Sequence, residues 1–127
     1  MILDSSALVA ILFREPEADA FVDRILVAAV KRISVATWVE LMMVMARETD
    51  ASMRDAEAFL ADAEVQVEPV TLEQGRLARQ AFLDFGKGRH PAKLNFGDCF
   101  AYALAKETDE PLLFKGNDFA LTDIMAA

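Results

Sequence analysis

Met1-Ile2-Leu3-Asp4-Ser5-Ser6-Ala7-Leu8-Val9-Ala10 sets a carboxylate at the end of a short apolar strand and directly ahead of an apolar run. Burying a lone charge at such a point is costly, so Asp4 must be protonated, hydrogen-bonded or turned toward a cation. Ile2 to Asp4 reads as a strand. Ser5 or Ser6 then caps a helix through Leu12, which Arg14-Glu15-Pro16 ends.

Working outward, a second helix spans roughly Glu17 to Ala29, with Ala18, Phe21, Val22, Ile25 and Leu26 forming an apolar stripe at spacings of three and four. Arg32 to Val35 is a second strand, and Thr37 caps a helix carrying Trp38, Leu41, Met42 and Met45 to near Glu48. Ser52-Met53-Arg54-Asp55 resembles a capping box opening a helix to about Ala63, and Val65-Gln66-Val67 is a third strand. A long helix starts at Thr71 or Leu72 and runs to Phe85, where the mobile basic loop Gly86-Lys87-Gly88-Arg89-His90-Pro91 breaks it. Asn95 caps a helix from Phe96 to Thr108, Leu112 to Phe114 form a fourth strand, and Gly116-Asn117-Asp118 turns out of it. The last residues add a short edge strand. Strands alternating with helices in this order imply parallel pairing through crossover helices, hence α/β: a three-layer α/β/α sandwich with a small, mainly parallel central sheet.

In such a sheet, ligands gather at the carboxyl edge. Asp4 ends the first strand, Glu40 lies in the first turn after the second, and Asp118 follows the fourth. Asp98 sits in the first turn of the helix leading into that last strand, which also points to the carboxyl side. Four acids from four segments are therefore expected to meet. Helix N-termini stabilise a carboxylate by about 0.3–1 kcal/mol each, too little to offset repulsion among clustered anions. A divalent cation offsets far more. Oxygen donors without thiolate or imidazole select Mg²⁺, with Mn²⁺ as substitute, and such an ion activates water against a phosphate ester.

Each acid also has a structural explanation. Thr37-Trp38-Val39-Glu40 is a capping box in its own right, Asn95-Phe96-Gly97-Asp98 can likewise be a cap, and Asp118 suits an ordinary turn. Gly97 beside Asp98 lowers helix propensity and points to a close approach to the backbone. Lys87, Arg89, His90 and Lys93 form a local basic patch suited to an RNA backbone or to plain solvation. Cys99 reads as core.

The 127 residues suit one domain, 1–127, and no hydrophobic stretch approaches the roughly 18 residues of a membrane span. Lys and Arg number 13 against 21 Asp and Glu, a net charge of −8, which argues against binding nucleic acid through a broad basic face. One cysteine and one histidine exclude a Cys/His zinc cluster. Asp4 interrupts any signal-peptide core, so a cytoplasmic location is expected. An apolar content of 54% exceeds what a small core easily hides, which suggests a homodimer or an obligate partner, with the early helices as contact candidates.

Four segments carry a family resemblance: Ile2-Leu3-Asp4-Ser5-Ser6-Ala7; the Glu40 helix after Thr37; Arg89 through Asp98 to Ala105; and Leu113-Phe114-Lys115-Gly116-Asn117-Asp118-Phe119 with Thr122-Asp123-Ile124. Together they resemble a VapC-type PIN-domain ribonuclease toxin of a type II toxin–antitoxin system, over the whole chain. The resemblance implies a Mg²⁺-dependent endoribonuclease restrained by a cognate VapB-like antitoxin. It makes Asp4 and Asp98 the metal ligands, with Glu40 and Asp118 completing an acidic quartet and Ser6 supporting Asp4. Asn117 follows Gly116 where many relatives carry Asp, which leaves Asn117 or Asp118 for the fourth position and one or two ions for the site. Without the resemblance, the residues stop at a hard-metal hydrolase of phosphate esters. The alternatives are a non-toxin nuclease of RNA maturation, a receiver-like Mg²⁺-binding phosphoacceptor domain and a non-catalytic module whose acids cap helices.

Overall fold

The computed structural model describes residues 1–127. Its elements in chain order are β1 (Ile2–Leu3), α1 (Ser5–Leu12), α2 (Ala18–Val27), β2 (Arg32–Ser34), α3 (Val35–Ala46), α4 (Asp50–Asp62), β3 (Gln66–Glu68), α5 (Leu72–Phe85), α6 (Phe96–Thr108) and β4 (Leu112–Leu113). A 3₁₀ turn, Phe119–Leu121, follows β4 and has no counterpart in the sequence reading. The four strands pair in the order β3-β2-β1-β4, all parallel. The expected terminal edge strand shrinks to one parallel bridge, Leu112 with Ala126.

Strand alternation sorts the core into two layers. Leu3, Ile33 and Leu113 face a cluster with Leu8 and Ile11 of α1, Phe21 and Ile25 of α2, Leu41 and Met45 of α3 and Leu60 of α4. Ile2 and Leu112 point the other way, onto Ala78 and Ala81 of α5 and the buried run Ala101 to Ala105 of α6. The result is the α/β/α sandwich anticipated from the strand–helix alternation. No helix is long and apolar enough to cross a membrane.

Several boundaries differ from the sequence reading, each for a local reason. Asp4 itself caps α1, accepting the Ser6 amide at 3.0 Å, so Ser5 and Ser6 lie inside the helix. Helix α2 is trimmed to Ala18–Val27, with Glu17 at its N-cap position. Strand β2 stops at Ser34, whose extended backbone and hydroxyl cap α3 through the Ala36 amide at 3.3 Å. Thr37 is then an interior helix residue, wholly buried. Thr49, not Ser52, caps α4, because its extended backbone lets its hydroxyl accept the Ser52 amide at 3.0 Å. Glu64 takes a φ of 54° after α4, which delays β3 to Gln66.

Candidate metal centre

Strand β1 is central: the chain runs outward from it to β2 and β3 on one side, then crosses back to place β4 on its other side, which reverses the strand order at β1. Such a switch point opens a crevice at the carboxyl ends of the strands. Asp4 sits at its floor. Its amide donates to Leu113 O at 2.9 Å, holding the residue between β1 and β4, and it is 3% exposed. Asp4 Oδ2 accepts both the Ser6 amide and the Ser6 hydroxyl, whereas Oδ1 is buried with no partner. Burial therefore pushes the Asp4 carboxyl above its ordinary value despite the bonds from Ser6.

Glu40 is brought in by α3. Because that helix begins at Val35, Glu40 lies in its second turn and makes no capping box with Thr37, whose hydroxyl is buried without a partner. The structural explanation for Glu40 thus fails. Its Oε2 accepts the Ser5 hydroxyl at 3.1 Å, and an ideal Cβ on Gly97 would lie 2.7–2.9 Å from its carboxylate atoms. Glycine at 97 is what lets the carboxylate rest on the α6 backbone. Burial and the Asp4 charge raise the Glu40 carboxyl, with the Ser5 bond partly offsetting them.

For Asp98 both explanations hold. Asn95 Oδ1 accepts the Asp98 amide and Asp98 Oδ2 accepts the Asn95 amide, each at 2.9 Å, a reciprocal capping box. Burial raises its pKa to about 6; the Asn95 bond opposes the rise, while the charges of Asp4, Glu40 and Asp118 add to it. Asp118 is exposed at the start of the 3₁₀ turn and caps nothing. Its charge is nonetheless felt at Asp98, where it adds to the rise.

No acid of this quartet has an ion-pair partner. Nor do any three acidic side chains share one ready-made coordination shell, so the single tight cluster expected from the sequence is looser than foreseen. That arrangement still fits Mg²⁺, which uses one or two protein carboxylates and keeps several waters. The donors are all oxygen, and Asp4 Oδ1 is buried without a hydrogen-bond partner.

The remaining candidates separate cleanly. His90 Nδ1 accepts the Ala92 amide and its ring meets Phe85 edge-on at 5.2 Å, so it braces the α5–α6 loop. That loop, expected to be mobile, is tied by the Lys87 amide to Leu94 O at 2.9 Å and the Leu94 amide to Phe85 O at 3.0 Å. Lys87, Arg89 and Lys93 are exposed without ion pairs. Cys99 is buried, its thiol pushed up to about 11 by burial and by Asp98. Met42 and Met45 are core, while Val39 and Met43 of α3 and Phe96 of α6 are exposed around a groove of about 500 Å³ that Glu40 and Gly97 also line. Exposed apolar side chains thus include later helices as well as the early ones. The sequence reading missed Ser5 and Lys115 as site contacts, since their partners lie far away in the chain.

The PIN domain family matches residues 1–125. The chain is 48% identical to Ribonuclease VapC28 of Mycobacterium tuberculosis over 100% of its own length and 97% of that protein's. It is 43% identical to Ribonuclease VapC of Mycolicibacterium smegmatis, covering 99% of this chain and 98% of that one. Among solved structures, M. tuberculosis VapC20, described as a sarcin-ricin loop cleaving toxin, superposes with a TM-score of 0.80 at 16% identity, covering 99% and 97% of the two chains. A toxin–antitoxin complex from Klebsiella pneumoniae gives a TM-score of 0.77 at 16% identity over 99% of this chain and 95% of that one.

Proposed function

Because the chain belongs to the VapC group of PIN-domain ribonucleases, we propose that it is a Mg²⁺-dependent endoribonuclease, the toxin of a VapBC-type pair, cutting RNA at the Asp4–Glu40–Asp98–Asp118 edge. The observation that carries this reading is Asp4 Oδ1, a carboxyl oxygen buried without a hydrogen-bond donor, beside two further carboxyls that, like Asp4, are pushed toward their protonated form. Proteins neutralise or pair such groups, and a hard divalent ion does so while leaving room for a phosphate.

Asp4 and Asp98 would hold the ion, with Mn²⁺ able to replace Mg²⁺. When bound, the ion supplies charge neutralisation on the phosphate and eases deprotonation of water. The rest falls to the chain itself. Ser6 occupies Asp4 Oδ2 with two hydrogen bonds and so would leave Oδ1 available to the ion. Glu40, fixed at Oε2 by Ser5, has Oε1 free to take a proton from the attacking water. Asp118 adds negative charge at the rim, which strengthens the pull on a cation. The receiver-like alternative needs a different family, and Ser5 and Ser6 here serve the acids as donors. A cognate VapB-like antitoxin and a homodimer complete the proposal, supported by the exposed apolar side chains of α2, α3, α5 and α6.

The test is cleavage of RNA by purified protein with Mg²⁺ or Mn²⁺, then with chelator. Induction of the wild-type chain in cells should arrest growth and create new RNA ends, and Asp4→Asn should abolish both. Undiminished cutting in chelator would overturn the reading.

A further inference from the structure

Lys115 is the last residue before Gly116, where a φ of 95° turns the chain out of β4 toward Asp118. Its amide donates to Ser6 Oγ at 3.0 Å, and Ser6 Oγ donates in turn to Asp4 Oδ2. A hydroxyl that accepts on one side has its single proton directed to the other, so the Lys115 amide fixes Ser6 as a donor to Asp4. The Lys115 ammonium crosses to the turn between α1 and α2, where it binds Glu15 and reaches Glu17 at 3.2 Å. Those two acids flank Pro16, and the turn itself is braced by the Glu15 amide on Ala10 O at 2.9 Å.

Between the packed Phe114 and the buried Phe119, no other side chain makes an ion pair or hydrogen bond: Asn117 and Asp118 are exposed and make none. We infer that Lys115 is a positioning residue, a latch that ties the Asp118 segment to the α1–α2 turn while its amide orients Ser6 against Asp4. An isolated exposed ion pair contributes little to stability. This one acts where it stands, because the same residue feeds the hydrogen bond that leaves Asp4 Oδ1 free. A hydrogen-bond partner of a metal-binding carboxylate, as Ser6 is of Asp4, is worth about 10–100-fold in metal affinity, and Lys115 acts on that partner. The inference rests on the proposed metal-dependent hydrolase.

The experiment compares the full chain with Lys115→Met, Lys115→Arg and the double variant Glu15→Gln/Glu17→Gln. Binding of Mn²⁺ alone is read by electron paramagnetic resonance, RNA cleavage as kcat and KM, and folding by thermal melting. Lys115→Met and the double variant should each lose about tenfold in Mn²⁺ affinity and lose kcat more than they raise KM. Lys115→Arg should restore both. Wild-type Mn²⁺ affinity in Lys115→Met would overturn the latch, as would a change confined to melting temperature. Should Lys115→Met fold poorly, the double variant decides, since it removes only the acids that the ammonium binds and leaves the Lys115 side chain in place. Wild-type protein that binds Mn²⁺ yet cuts no RNA would refute the ribonuclease reading while the Mn²⁺ comparison still judged the latch.

Discussion

Glu110, just ahead of β4, bonds Arg32 at 2.8 Å and the Met1 amine, and Arg32 reaches on to Glu68 at 3.0 Å; at the other end of the same strands Asp4, Glu40 and Asp98 have no cation at all. The difference shows in their proton affinities. Burial pushes the Glu110 carboxyl up, but the amine and Arg32 outweigh it and hold it below its ordinary value. At the carboxyl edge burial acts unopposed by any positive group, and all three carboxyls rise. An acid that carries its counter-charge belongs to the architecture; a group of acids without one marks the edge where we propose that the cation binds.

Asp98→Asn breaks the comparison hardest. It keeps the shape, and the Asn oxygen still accepts the Asn95 amide, so folding should persist while RNA cleavage falls at least about 100-fold. Glu110→Gln should leave cleavage at the wild-type rate. Equal losses in both would mean that the two ends of the sheet do not differ in role.

Gly97→Ala comes next, because it moves one carboxylate without removing any charge. A methyl group at 97 would meet the Glu40 carboxylate at 2.7–2.9 Å, and the flexible end of that side chain must swing away. Alanine also favours helix by up to about 1 kcal/mol over glycine. Melting temperature should therefore hold or rise while cleavage drops about tenfold, the cost of a misplaced catalytic group. Cleavage at the wild-type rate would show that Glu40 need not sit on the α6 backbone.

These two positions also show what was legible in the sequence. The Asn95-to-Asp98 box is local, with both partners within one turn, and it was readable from spacing alone. Thr37-Trp38-Val39-Glu40 has the same spacing and misleads, because β2 ends at Ser34 and the Ser34 hydroxyl takes the cap two residues before Ala36, which leaves Thr37 inside the helix. Gly97 was legible as a close approach, but the approaching group was not, since Glu40 arrives through α3 packing on α6. Ser5 and Lys115 gave no signal, for their bonds to Glu40 and Ser6 span 35 and 109 positions. Sequence spacing located the acids at one edge; only packing reveals which lone pairs are spent and which are free.

Titration gives the two ends opposite signatures. Asp98 binds its proton more tightly folded, near pH 6, than unfolded, near its ordinary 3.8. Between those values the native state holds more protons, so stability in metal-free buffer falls as pH rises through the window, by about 1 kcal/mol once solvent screening is discounted. Saturating Mg²⁺ should reverse that fall, because an ion bound only by the folded chain stabilises it by about 2.7 kcal/mol at one hundred times its Kd. Asp98→Asn should flatten the slope and blunt the Mg²⁺ response in urea melts at pH 5 and 7. A wild-type slope in the variant would assign the effect to other groups.

The smallest effect belongs to Glu110. With its pKa lowered, its contribution is complete above the ordinary 4.5 and is lost as pH falls through the depressed value. Glu110→Gln should therefore cost less than about 1 kcal/mol at pH 7, as partly solvated ion pairs do, and progressively less as pH falls and the wild-type carboxyl takes up its proton. Urea melts at a series of pH values from 7 downward follow this trend directly, and Mg²⁺ should shift the Glu110→Gln melt as far as it shifts the wild type. A Mg²⁺ shift that disappeared with Glu110 would place the cation at the paired end of the sheet, where the acids already hold positive partners, and would undo the contrast between the two ends.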